Sequence, residues 1–480
     1  MPVTPRPRRI VQTHVDLGDP HRCDDDAATV RLRRLRFTTL VAPAPDGGHR
    51  QALASAWRVD AAARRWRFRL RPEARAHDGA SLGARDVIAS LERARDPAVG
   101  GALGTAGVFA HYLEGVRFTA ERDADGAELL SLATPRPFAD LLDLLVDLPV
   151  LRVAALGRDG AAQLGSGPYR LASNAPGRIE LVRWDDALAS HVDDTVPVGC
   201  ERLTIRAQPD PAERVAALLA GEADVATEIP SRLAHALDGD HRVRVQRRPG
   251  GAAVVAFFHL DPARPSPVHD VRVRRALQLA TDVRTLVREL HQGYATPLSG
   301  PFPAPHLGLD PAAAPPPFDS SRARALLVEA GHGDGLTLTF DVPERLPDEA
   351  PALVALLARQ WAAIGVRLEV RRHADREGYA WMVRERRYGD LCLFDSSPAS
   401  SYRVLREKFH GGHAGPWWQG WSDPAVDAAI DAGAAEPDAA RRAEHYRRAV
   451  ARIVAASVWL LLYAPERLWL EASASGEAAR

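Results

Sequence analysis

The sequence predicts an α/β fold, on three observations. Residues 321–371 alternate a helical pattern over Ser321–Ala330, a strand over Leu336–Val342, a helix over Pro351–Ile364 and a strand over Val366–Arg371. Such alternation layers helices against a sheet. Trp66, Phe68 and Leu70 alternate with Arg67, Arg69 and Arg71, the period of a strand with one buried face. Val273, Ala276, Leu277, Ala280, Val283, Val287 and Leu290 recur at three- and four-residue spacing, the stripe of a single helix over Val271–Leu290.

The remaining elements follow in chain order. Ile10 and Val11 begin an extended stretch, and Ala27–Leu35 carries helical spacing. Arg31, Arg33, Arg34 and Arg36 suggest either an anionic partner or, the favoured reading, the solvated face of that helix, balanced by acids elsewhere. Trp57 and Val59 are the hairpin partners of Trp66–Leu70; Asp78-Gly79 marks a turn before a helix over Ala84–Arg93. Residues 121–127 form a polar hairpin loop, and Leu141–Val153 is densely apolar. The break Gly165-Ser166-Gly167-Pro168-Tyr169 precedes strands at Tyr169–Leu171 and Ile179–Trp184, then a helix over Pro211–Ala220. Pro297–Pro317, rich in proline, reads as a loop over a surface. A helix over Ala439–Ala455 and the apolar run Val458–Tyr463 close the pattern, with no solenoid repeat.

The chain has 480 residues, length for about three domains at roughly 150 residues each. Sixty-two basic residues balance 62 acidic ones, which argues against a nucleic-acid binder, since phosphate neutralisation needs a basic surface. No apolar run reaches the ~18–20 residues that span a bilayer. Lys408 is the one lysine; the other basic residues are arginine, a bias read as base composition, so that an isolated arginine says little about function. Cys23, Cys200 and Cys392 lie far apart without metal-ligand spacing, which argues against a zinc site or a disulfide framework. After Met1 a basic stretch runs to Arg9 with no apolar segment of secretory-signal length. The expectation is a cytoplasmic protein, or a leader preceding the first residue of this sequence.

The punctuation then becomes specific. Gln51 to Asp60, Trp66 to Pro72 and His77-Asp78-Gly79 resemble the early signature of the bacterial solute-binding proteins of family 5, the dipeptide, oligopeptide and nickel class serving ABC importers. The resemblance keeps register through Leu17–His21, Gly165–Leu171, Glu201–Arg206, Gly221–Val225, Asp270–Leu277 with Ala280-Thr281-Asp282, Gly293–Pro297, Phe318–Gly331, Gln360–Val366 and Trp421–Asp427. It covers nearly the whole chain. It implies a bilobal periplasmic-binding-protein-like fold of class II, cluster C type, with an inserted subdomain and a hinge that closes on a ligand. By analogy, residues 1–39, 164–250 and 459–480 make lobe I, 40–163 the inserted subdomain and 251–458 lobe II. It further implies a monomeric, non-enzymatic receptor without a cofactor, in the periplasm or cell envelope. Its partners would be a peptide-like or amino-acid-like zwitterion and the permease and ATPase of an importer.

Site residues follow from the resemblance and from chemistry. In peptide-binding relatives an Asp shortly before a Pro receives the ligand's ammonium; here Asp395 stands three positions before Pro398. Asp395 capping a turn through Ser396-Ser397 is the structural alternative. Ser396 and Ser397 would hydrogen-bond a polar ligand. The loop departs from the dipeptide pattern: the upstream Trp is missing and Phe394 is the nearest aromatic. A ligand carboxylate calls for a bidentate arginine; Arg152 lies near the carboxylate-binding arginine of nickel-type relatives, and Arg403 and Arg406 flank the serine loop. Tyr402 and Trp418 would line the site. His410 and His413, three apart, are weak metal candidates lacking a nearby acidic or thiol ligand in sequence. No catalytic signature such as GxSxG, HExxH or a Walker loop occurs. The rival readings are a cytoplasmic ligand sensor on the same domain and a binder of a nickel or metallophore chelate.

Overall fold

Two sheets organise the chain, each the centre of its own unit. The computed structural model describes residues 7–22, 26–44, 47–100, 107–153, 164–185, 188, 194–196, 200–304, 306–344 and 349–473. Cys23 lies outside them; Cys200 and Cys392 are free thiols. The first unit comprises residues 1–247 and 467–480, the second 248–466. Among the described residues no helix is long and apolar enough to cross a membrane.

In the first unit a seven-stranded sheet runs in the order Val243–Arg248, Arg467–Ala472, Val225–Ala226, Arg8–Gln12, Arg202–Ala207, Arg178–Arg183, Tyr169–Ala175. Arg8–Gln12 is parallel to both its neighbours, and the flanking pairs are antiparallel. Ile10, Ile179, Leu181, Leu203, Ile205 and Val225 pack with Leu32 and Leu35 of helix Ala27–Arg36. A separate antiparallel sheet, Ala54–Val59, Arg65–Leu70, Glu128–Ala133, Arg117–Arg122, contains the predicted hairpin. Trp66, Phe68 and Leu70 are buried on it as their alternation requires.

The arginine-rich helix face is not solvated. Arg31, Arg33 and Arg36 are buried. Arg31 donates to Gln12 and to Glu228, at 2.8 and 3.1 Å, partners too distant in sequence to be foreseen. The backbone carbonyl of Arg36 receives the amides of Ser166 and Gly167 at 2.9 and 2.8 Å. A Cβ at Gly165 would lie 2.2 Å from that carbonyl, and one at Gly167 2.5 Å from the Phe37 nitrogen, so this crossing needs both glycines. His77 fixes the same turn, its ring 2.9 Å from the Gly167 carbonyl; burial, assisted by Arg36 and Arg170, lowers its pKa to about 4.

In the second unit a six-stranded sheet runs Ala295–Pro297, Trp459–Pro465, Ala253–Phe258, Leu391–Ser396, Leu336–Pro343, Val366–His373. Ala253–Phe258 is buried at every position, as an apolar central strand must be. The last two strands are parallel and carry the predicted helix–strand alternation. Trp459–Pro465, expected in the segment returning to lobe I, pairs antiparallel with Ala253–Phe258 and Ala295–Pro297. Its apolar run is buried throughout, and the chain leaves this unit only after Glu466.

The single helix predicted over Val271–Leu290 is two, Val271–Leu279 and Val283–His291. Asp282 starts the second by accepting from the Thr285 amide at 3.1 Å, and Thr281 in the break accepts from the Trp361 indole at 3.0 Å. Arg274 is buried and donates to the carbonyls of Val268, His269, Ala456 and Ser457. Arg214 clamps Gln208, Pro209, Thr227 and Glu228 carbonyls the same way in the first unit. Asp270, Asp319 and Asp423 cap the helices beginning at Val271, Ser320 and Pro424. Much of the recurring punctuation is therefore helix capping and carbonyl clamping.

Candidate functional site

Strand Leu391–Ser396 ends in the loop Ser397–Ser400, and helix Ser401–Lys408 follows. Ser400 caps that helix through its hydroxyl, which accepts from the Arg403 amide at 3.4 Å. The helix cap is thus Ser400, and Asp395 has a partner on another element. That partner is Arg376, in the first turn of helix Arg376–Arg384, whose Nη2 donates to Asp395 Oδ1 at 2.8 Å. The Asp395 side chain keeps 27% of its exposure. Ser396 is buried and its hydroxyl has no hydrogen-bond partner among the described residues; Ser397 is half-buried.

Arg376 is a residue the sequence reading missed. Its guanidinium carbon stands 5.3 Å from the Phe394 ring centroid and 5.8 Å from that of Tyr379. Its Nε and Nη1 are buried without hydrogen-bond partners among the described residues. Phe394 is therefore a floor for a guanidinium, a stacking geometry that arginine favours.

Helix Ser401–Lys408 carries three further groups. Arg403 is paired with Glu407 at 3.0 Å, one turn on. Tyr402 and Arg406 are buried together, Arg406 Nη1 donating to the Tyr402 hydroxyl at 3.2 Å and lying 2.6 Å from His413 Nε2. Lys408, also missed, is buried, and its ammonium sits in a box of aromatic rings. Phe257, Phe394, Trp417 and Trp459 have centroids 5.8, 5.7, 5.8 and 5.8 Å from Nζ. No hydrogen bond or ion pair joins this ammonium to any described residue. Burial lowers its pKa to about 8, against the opposing pull of Glu407 and Asp395. The box ring is Trp417; the predicted Trp418 is half-buried, with Arg386 5.3 Å from its ring.

The histidines expected as weak metal candidates do lie together, with an acid remote in sequence. Ligand atoms of His410, His413 and Asp431 fall within 4.8 Å of one another. His410 is buried, 3.3 Å from Asp431 Oδ1 and 3.6 Å from Asp427 Oδ2; His413 is exposed and Arg406 faces its ring. The Asp431 carboxylate with the two imidazoles makes the group able to hold a cation, and the guanidinium against His413 opposes one. Arg152 belongs to the first unit and is ion-paired with Asp78. The structure thus brings Asp395 together with Arg376 and Lys408, with Ser396 and Ser397 following Asp395 in the chain, and Tyr402 and Arg406 with His413.

Comparison with known proteins gives the class of protein to which this α/β fold belongs. Residues 50–404 match the family model described as bacterial extracellular solute-binding proteins, family 5 Middle. The chain belongs to this family. The glutathione-binding protein GsiB of Escherichia coli (strain K12) is 25% identical over 331 residues, 67% of this chain and 60% of that protein. The match thus spans less than two thirds of that relative's length. The structure of HbpA2 from Haemophilus parasuis superposes with a TM-score of 0.81 at 20% identity, covering 97% of this chain and 95% of that one. A nickel ABC transporter protein from Bacillus halodurans gives 0.77 at 23%, covering 97% and 95%. DppA from Helicobacter pylori, in complex with the peptide STSA, gives 0.74 at 18%, covering 97% and 94%. At these identities the structural likeness is one of fold.

Proposed function

We propose that the chain is the non-enzymatic receptor of an ABC importer in the periplasm or cell envelope, and that it delivers a peptide-like or amino-acid-like zwitterion to permease and ATPase subunits. The observation that carries this reading is the loop after strand Leu391–Ser396. Within the family-matched region it places Asp395, partly exposed, beside a hydroxyl with no partner of its own. Asp395 holds the ligand's ammonium while Arg376 fixes its orientation, since a desolvated ammonium needs a carboxylate. The named ligands of the relatives, glutathione and a peptide, are of this class. The test is isothermal titration of ligand-stripped protein with di- and tripeptides and their N-acetylated forms. Free peptides should bind, N-acetylation should abolish binding, and Asp395→Asn should cost about 2–4 kcal/mol. Equal affinity for acetylated and free peptides would remove Asp395 from the ligand's amine; no binding of any peptide at millimolar concentration would end the peptide reading.

A metal chelate is the second reading, favoured by the convergence of His410, His413 and Asp431. It requires a Ni2+-dependent rise in melting temperature that His410→Ala with His413→Ala removes. An unchanged melting temperature on adding Ni2+ and on adding Ni2+ with histidine rejects it.

A further inference from the structure

The cluster at the end of strand Leu391–Ser396 has more donors than acceptors. Arg376 has Nε and Nη1 unused, Ser396 has its hydroxyl unused, and the Lys408 ammonium has no hydrogen bond to any described residue. The carboxylate among them, Asp395, already serves Arg376. Arg376 and Lys408 both lie against the same Phe394 ring, at 5.3 and 5.7 Å. Two cations thus share one aromatic side chain, and the two acids nearest them, Asp395 and Glu407, each already hold an arginine. Buried polar groups are ordinarily satisfied, and a buried charge is ordinarily paired. The missing partner is one that only accepts hydrogen bonds and carries negative charge.

The choice of residue points the same way. Every other basic residue of the chain is arginine, yet this position holds lysine. Four ring centroids lie within 6 Å of Nζ, and an ammonium is more compact than a planar guanidinium. Base composition alone supplies arginine, so the lysine is the exception to that bias.

We propose that Lys408, with Arg376 and Ser396, forms an anion subsite that selects solutes carrying an acidic group, carboxylate or phosphate, beyond the two charges of a neutral zwitterion. The inference rests on the solute-receptor reading above and names the class of solute. Asp395 takes the ligand's amine and the donors around it take the acid, so that an acidic peptide satisfies both signs at once. Ligand binding then supplies the hydrogen-bond acceptor that no described residue offers the Lys408 ammonium.

The lone lysine provides its own reporter, because protein labelled with 15N- and 13C-lysine has one lysine side-chain signal. The full chain is titrated with Ala-Glu, Ala-Gln, glutarate and inorganic phosphate, following that signal and, in parallel, the heat of binding. Ala-Glu should bind about tenfold or more tightly than Ala-Gln, and the Lys408 signal should move with Ala-Glu and with at least one of the two simple anions. Glutarate alone or phosphate alone identifies the acidic group. Lys408→Met should bring the two peptides within about twofold of each other. Ser396→Ala, a smaller change, should narrow the preference in the same direction. If an anion moves the signal and neither peptide binds, the peptide reading fails and the subsite stands. If both peptides bind equally with the signal unmoved, the subsite is refuted and the peptide reading stands. A signal unmoved by all four probes overturns the proposal.

Discussion

The box around Lys408 sets up a measurement of what an unpaired ammonium costs inside a protein. Burial takes its pKa from 10.5 to about 8. At 1.36 kcal/mol per unit this amounts to about 3 kcal/mol held against the charged folded state. Contacts with the ring faces return a part of this, about 0.5–2 kcal/mol in all. Lys408→Met fills the same space with a flexible apolar side chain and removes the charge. We expect the variant to be about 1–3 kcal/mol more stable than the parent at pH 7, as when a buried charge gives way to a packed apolar group. The sign with pH is fixed: the folded pKa lies below the unfolded one, so the penalty is full below pH 8 and fades as pH rises from 8 to 10.5. Urea unfolding of parent and variant at pH 7 and pH 10 reads the difference directly. The two should converge at the higher pH. A variant less stable than the parent at pH 7, or a gap unchanged between the two pH values, would refute the account of an uncompensated charge.

Other consequences are more local. The His77 pKa near 4, against 6.5 in the unfolded chain, means that its share of stability is present above pH 6.5 and is lost as pH falls through 4; His77→Gln should flatten the acid limb of the stability profile by about 2–3 kcal/mol in acid-titrated unfolding. Gly165→Ala should destabilise the first unit by at least about 2 kcal/mol, visible as a lower melting temperature, because its Cβ meets the Arg36 carbonyl at 2.2 Å. An alanine tolerated there without loss would show that the crossing of turn and helix can relax.

How much of this was legible in the sequence depends on the range of the forces involved. The alternation over 321–371 was legible because helix and strand periods are local, and the helices and strands fall within a residue or two of their expected limits. The break between Leu279 and Val283 was not, since Ala280 continues the apolar stripe and the contact that settles the break comes from Trp361. The burial of Arg31 was not legible because its partners Gln12 and Glu228 lie elsewhere in the chain. In the site, the Asp395 loop was visible through family resemblance. Arg376 was not, standing 19 residues earlier on a different helix. Lys408 was in plain view as the lone lysine, but its meaning depends on rings contributed by two other strands and a loop. Composition explained the scarcity of lysine and could not explain the exception.

The connection between the two units has a consequence for synthesis. The chain leaves the first unit's sheet on strand Val243–Arg248 and re-enters it on the adjacent strand Arg467–Ala472. On emerging from the ribosome, the second unit therefore has all its strands before the first unit's sheet receives its last one. Val225–Ala226 can pair with Arg8–Gln12 on one side only, and Val243–Arg248 must wait, unjoined, for a strand made more than two hundred residues later. Vectorial folding then runs inside out: the inserted unit matures first, and the unit that contains the beginning of the chain is sealed last. Nascent chains arrested before residue 467 should show a protease-resistant second unit beside a first unit that is still cleavable.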